Sequence, residues 1–161
     1  GRRRTMEDAH VVCNDLWALV WEDGIPKEDR PHCALYGIYD GHGGPKAAAF
    51  AAEKLHCFLA HRLNQLSSAE LQDFGRVVEC VRAAYAEMEE KWMALAEAQD
   101  LEDGTTAVTA MVLGDRLFVA NLGDSRLIVG GQAGAVRFRT LDHKPDATPE
   151  KVRIEAAGGF V

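Results

Sequence analysis

The sequence predicts an α+β fold with largely antiparallel sheet. Three observations carry that prediction. β-branched and apolar segments open the chain, two long stretches with apolar residues at helical spacing follow, and short alternating segments separated by glycine turns then return. Strands grouped before and after a pair of helices, rather than alternating with single helices, argue against a doubly wound parallel sheet. A chain of 161 residues fits one domain able to bury a core, and 47% hydrophobic residues is ordinary for a globular protein.

In chain order, residues 10–20 read as one or two strands, from His10-Val11-Val12-Cys13 to Leu16-Trp17-Ala18-Leu19-Val20. Residues 22–31 are rich in charge, with Gly24, Pro26 and Pro31, and read as a loop. Residues 33–39 form a short apolar run between turn residues, hence a buried strand, which Gly43-Gly44-Pro45 ends. Over 46–63, Ala47, Phe50, Ala51, Leu55, Phe58, Leu59 and Leu63 recur at helical spacing. Ser67 or Ser68 offers an N-cap, and residues 71–98 read as a long amphipathic helix with a break near Gly75. The two helices suit a layer covering a sheet.

Composition then switches. Residues 105–113 alternate, Gly114-Asp115 reads as a hairpin turn, and residues 116–122, 126–129 and 136–141 read as further strands, with a turn at Gly130-Gly131. Thr148-Pro149-Glu150 opens a last helix running to about Ala156, which Gly158-Gly159 ends.

The formal net charge of −7 argues against general binding of nucleic acid or of anionic membrane. No apolar run approaches the roughly 18 residues of a membrane span, and no signal segment opens the sequence. Cys13, Cys33, Cys57 and Cys80 contain no C-x-x-C pair, so a zinc knuckle is not expected. Buried reduced thiols in a cytoplasmic or nuclear protein are the expectation.

Two runs stand out for chemistry: Arg3-Arg4-Thr5-Met6-Glu7-Asp8-Ala9-His10, and Ile38-Tyr39-Asp40-Gly41-His42-Gly43-Gly44-Pro45-Lys46. Each sets carboxylates and a histidine beside an apolar strand-like stretch. A carboxylate at a strand end, followed by glycine that lets backbone approach a ligand closely, can coordinate hard divalent cations. Aspartate before glycine is also the usual composition of a turn, so either run alone is weak. Other phosphate chemistries lack their residues. None of the four cysteines has arginine six positions on, and no G-x-x-x-x-G-K-[ST], H-E-x-x-H or G-x-S-x-G occurs.

The two runs resemble the N-terminal signatures of the metal-dependent protein serine/threonine phosphatases of type 2C. Asp103-Gly104-Thr105-Thr106-Ala107 leading to Asn121-Leu122-Gly123-Asp124-Ser125-Arg126 agrees with that family. So does Leu141-Asp142-His143-Lys144-Pro145 leading to Ala157-Gly158-Gly159. The resemblance implies a four-layer α-β-β-α sandwich, incomplete at its C-terminus. Residues 1–161 would be the N-terminal portion of a phosphatase-like domain truncated at both ends, with further metal-binding aspartates of the family lying beyond them.

What the resemblance implies for the site is specific. Asp40 would bridge two Mn²⁺ or Mg²⁺ ions, Glu7 would serve one of them, and the Gly41 carbonyl would complete it. Asp124 would hold a weaker third ion. Asp8 would hold a metal-bound water; His10, read from its place in the sequence, either supports the site by hydrogen bonding or ends a strand. Arg3 would grip the substrate phosphate, a task suited to the guanidinium fork. His42 would be the general acid that protonates the departing alkoxide. Asp142 and His143 read as structural, and Asp103, Thr105 and Thr106 as residues fixing a loop beside the site. The implied reaction is hydrolysis of phosphoserine and phosphothreonine in proteins by a hydroxide bridging the two ions. The implied partner is a phosphorylated protein, not nucleic acid, nucleotide or membrane. The alternative reading of the same motifs is a catalytically silent pseudophosphatase, or a truncated form, that acts as a protein-binding module.

Overall fold

The computed structural model describes residues 5–20 and 29–161. Its centre is an antiparallel sheet of four strands in the order β1-β2-β5-β6, built from β1 (Ala9–Cys13), β2 (Cys33–Tyr39), β5 (Ala107–Leu113) and β6 (Arg116–Leu122). Two short strands, β3 (Gly41–His42) and β4 (Gly104–Thr105), pair with each other just beyond the ends of β2 and β5. The α+β reading with antiparallel pairing is what the structure has.

The sheet is two-sided. Val11, Leu35, Met111 and Phe118 point to one face, where α1 (Lys46–Asn64) and α3 (Phe74–Gln99) cover them. Leu35, Tyr39, Leu55, Leu63 and Met111 are among the largest fully buried side chains, so the core lies between sheet and helices. Phe50 of α1 meets Trp92 of α3 with ring centroids 5.7 Å apart. On the other face, Val12, Tyr36, Ile38 and Leu117 are exposed. No helix of the described residues is long and apolar enough to cross a membrane.

The helix ends follow local chemistry. A short helix α2 (Ser68–Gln72) starts at Ser67, whose hydroxyl accepts from the Glu70 amide while the Glu70 carboxylate accepts from the Ser67 amide. The break before α3 falls at Asp73, two residues ahead of the expected Gly75. Asp73 takes extended backbone and its carboxylate accepts from the Arg76 amide at 3.1 Å, restarting the helix. Asp100, at φ 52°, ends it.

Three expectations hold in part. Residues 10–20 hold one strand only. After Cys13 the chain turns, and Leu16–Leu19 is a 3₁₀ helix because the Asp15 carboxylate accepts from the Trp17 amide at 3.0 Å. The strands expected at 126–129 and 136–141 are β7 (Ile128–Gly130) and β8 (Val136–Arg139), a separate two-stranded ribbon. Of the four thiols, Cys33 alone is fully buried, and all four are free. The last helix, α4, is Thr148–Ala156 as expected. Residues 22–28 of the expected loop lie outside the described residues.

Candidate functional site

Strand β2 delivers Asp40 to the end of the sheet. The β2–β5 ladder pairs Ile38 with Val108, and the β3–β4 pair of Gly41 with Thr105 keeps the same register. Tyr39 and Asp40 therefore span the gap between the two ladders, with Asp40 facing Thr106. The Thr106 amide donates to the Asp40 carbonyl at 2.9 Å, and the Asp40 amide donates to Thr106 Oγ1 at 3.2 Å. A side chain thus replaces the backbone acceptor, and the Asp40 carboxylate is held at the exposed end of the strand.

The first motif reaches the same place through β1. That strand pairs Ala9 with Tyr39. Continuing the register sets Asp8 opposite Asp40 and Glu7 opposite Gly41. The approach at Gly41 is close enough to require glycine: a Cβ there would fall 2.2 Å from the Glu7 carbonyl oxygen. Glu7 is half-buried, Asp8 is exposed, and His10 is exposed on the open face of the sheet opposite Ile38.

His42 follows on β3, opposite Gly104, and is exposed. A Cβ on Gly104 would lie 2.3 Å from His42 Nε2, so the ring rests against bare backbone. Behind it, Asp103 Oδ2 accepts the Lys46 amide at 2.8 Å and supplies the cap that Pro45 cannot give to α1. Asp103 fixes the loop, as the sequence suggests.

The third and fourth motifs meet on the far side of Thr106. Thr106 Oγ1 and Ser125 Oγ share a hydrogen bond of 2.7 Å. The Gly123 amide donates to His143 Nδ1 at 3.3 Å, and the His143 amide donates to the Gly123 carbonyl at 2.9 Å. Arg126 binds Asp142 with both ends of its fork at 2.9 and 2.8 Å, and these bonds hold the Asp142 carboxyl below its usual range. Asp142 and His143 thus brace the loop that carries Asp124. Asp124 itself is half-exposed, with Lys144 Nζ at 3.7 Å.

Among the described residues, no group of three or more His, Cys, Asp or Glu side chains lies close enough to hold a metal ion. Continuing the β1 register sets Glu7 opposite Gly41, the residue after Asp40, so the two motifs bring residues with oxygen donors to the same end of the sheet. Magnesium and manganese take such donors, and magnesium keeps several waters, so one or two carboxylates suffice. The chemistry of the donor set fits those ions. Arg3 lies outside the described residues.

Two features of the site escaped the sequence reading. The reciprocal Asp40–Thr106 pair has no periodic signal, although threonine doublets beside a strand start are its only trace. The proximity of Met88, Trp92 and Met93 on α3 to His42, around one cavity, was hidden because their helical spacing reads simply as core.

A family model described as protein phosphatase 2C matches residues 1–161. A probable protein phosphatase 2C of rice (Oryza sativa subsp. japonica) is 37% identical over 163 residues, covering 100% of this chain and 50% of the rice protein. A protein phosphatase 2C homolog of Aspergillus fumigatus is 33% identical over 162 residues, covering 100% of this chain and 36% of its own length. The chain thus spans half or less of these relatives. Among solved structures, a serine-threonine phosphatase 2C from Toxoplasma gondii superposes with a TM-score of 0.77 at 24% identity, over 100% of this chain and 53% of that one. A C. elegans sex determining protein superposes equally well, at 0.77 and 22% identity, over 100% and 37%. At these identities the two structures speak for the fold alone.

Proposed function

The chain belongs to the protein phosphatase 2C family, and on that footing we propose that it hydrolyses phosphoserine and phosphothreonine in proteins with the help of divalent metal. The observation that carries the reading is the junction of the first two motifs: Glu7 backbone packed directly on Gly41, next to Asp40, whose own backbone is held by Thr106. That junction offers oxygen donors at the exposed end of a strand, as a hard cation requires.

In this reading Glu7, Asp40 and the Gly41 carbonyl hold Mn²⁺ or Mg²⁺, with Asp124 serving a weaker further ion. Bound there, the ions would acidify water and offset the charge of the phosphate. The rest is the work of the chain. The guanidinium of Arg3 grips two phosphate oxygens. Asp8 orients the attacking water, with His10 supporting it. His42 gives its proton to the serine or threonine oxygen as the P–O bond breaks, a contribution worth ~10²–10⁴-fold when the leaving group is a poor one. The substrate is a phosphorylated protein, and the free thiols suit a cytoplasmic or nuclear setting.

The test is release of phosphate from a phosphothreonine peptide with Mn²⁺ present, and with the metal removed by EDTA. Release that EDTA abolishes is the expected result. His42→Gln should slow the peptide ~10²-fold or more and p-nitrophenyl phosphate, which has a good leaving group, far less. Equal slowing of both substrates would remove His42 from the role of acid. Metal binding without any turnover would favour the protein-binding module instead.

A further inference from the structure

Beside His42, between α1 and α3, lies a cavity of about 360 Å³ that none of the residues assigned to metal or phosphate fills. Its floor is apolar: Leu55, Met88 and Trp92 line it and each is buried. Two apolar side chains that also line it are open to solvent, Met93 at 56% and Leu122 at 53% exposure. His42, Gly104 and Thr105 form part of its wall. The space opens to solvent beside the candidate acid, past Met93 and Leu122. It falls within the range of sites that bind small groups.

Resting on the reading of His42 as the leaving-group acid, we propose that this cavity takes a large apolar side chain of the substrate protein, two residues from the phosphorylated serine or threonine. The cavity is continuous with the site, because His42 belongs to both. The acid must touch the oxygen of the phosphorylated residue, and an extended chain advances ~3.3–3.6 Å per residue. A neighbour two positions away, on the same side of the extended chain, therefore comes to the part of the cavity lined by His42, Met93 and Leu122. Thioether side chains adapt to irregular apolar groups, and Met88 and Met93 both line the space, which suits leucine, methionine or phenylalanine. Glu89 lines it as well, and with the chain's net charge of −7 it disfavours an acidic side chain there.

Two phosphothreonine peptides test this, alike except for leucine or aspartate at the second position after the phosphorylated residue, and at the second position before it in a companion pair. With Mn²⁺ present, kcat/KM should favour leucine by ~10-fold or more in at least one pair, the discrimination one apolar side chain gives in such a pocket. Met93→Glu, at an exposed position, should reduce that preference to about twofold while leaving p-nitrophenyl phosphate turnover unchanged, and Met93→Leu should restore it. Binding is read separately, from methyl NMR of the four methionines. The leucine peptide should shift Met88 and Met93 and leave Met111, which does not line this cavity, in place. Equal rates for both members of each pair would overturn the proposal, and so would unmoved Met88 and Met93 methyls at saturating peptide. Absence of p-nitrophenyl phosphate turnover would instead count against the phosphatase reading, and the methyl shifts would still decide the cavity.

Discussion

Asp40 and Thr106 are bound to each other twice: the Asp40 amide donates to Thr106 Oγ1 at 3.2 Å and the Thr106 amide donates to the Asp40 carbonyl at 2.9 Å. The hydroxyl that holds Asp40 is also bonded to Ser125 Oγ at 2.7 Å. The second and third motifs are joined through one side chain, far apart in sequence but adjacent across the sheet.

Thr106→Val keeps the shape and deletes both side-chain hydrogen bonds, leaving the Asp40 amide without its acceptor. A loss of ~1–3 kcal/mol in urea unfolding is expected, together with weaker Mn²⁺ binding. Ser125→Ala removes one bond only and should cost less. Equal effects would place the energy in the Ser125 link, not in the hold on Asp40.

Gly41→Ala should be among the most damaging small substitutions in the chain. Its Cβ would fall 2.2 Å from a backbone oxygen of Glu7, which cannot swing away as a side-chain tip could. A loss of ~2–4 kcal/mol is expected, with β1 displaced from the site. Gly130→Ala is the control, since nothing stands within 4 Å of its Cβ position. Differential scanning calorimetry of the two variants compares them directly.

Asp103→Ala should fray the first turn of α1, because the Lys46 amide loses its acceptor. The expected cost is ~1 kcal/mol, and Asp103→Asn, which keeps an oxygen, should restore most of it. Hydrogen exchange at Lys46 reads the local effect: faster in the alanine variant and close to the parent in the asparagine one.

Alkaline pH should destabilise the fold. Burial pushes the Cys33 thiol from 9.0 up to about 12, and burial likewise pushes the Tyr85 hydroxyl up to about 12. A folded state that holds its proton more tightly than the unfolded chain keeps that stability below the unfolded pKa and loses it as pH rises toward the folded one. The urea midpoint should therefore fall between pH 9 and pH 12, and Cys33→Ala should flatten part of that fall. A flat profile in the parent would contradict the burial of both groups.

The sequence makes the elements legible wherever one signal acts alone. Leucine and alanine at helical spacing mark α1, and the alternation around Gly114-Asp115 marks the β5–β6 hairpin. It misleads where a short polar side chain competes with the ladder or the helix. Asp15 turns the second half of a strand-like stretch into a 3₁₀ helix, and Asp73, not Gly75, divides the helical stretch. For the site, motif order points to Glu7, Asp40 and His42. What periodicity cannot carry is contact between distant segments, such as the Thr106 hydroxyl under the Asp40 amide or Trp92 near His42.

On the proposed function, Asp40 anchors metal for phosphate hydrolysis. The most direct measurement is Mn²⁺ binding, followed by electron paramagnetic resonance of the free ion, with phosphate release from a phosphothreonine peptide read in the same samples, for the parent chain and for Asp40→Asn. The substitution keeps size and backbone bonds and removes only the charge. Binding and release should fall together, by ~10-fold or more in affinity, with circular dichroism unchanged. Undiminished Mn²⁺ binding and phosphate release in a folded Asp40→Asn protein would contradict it.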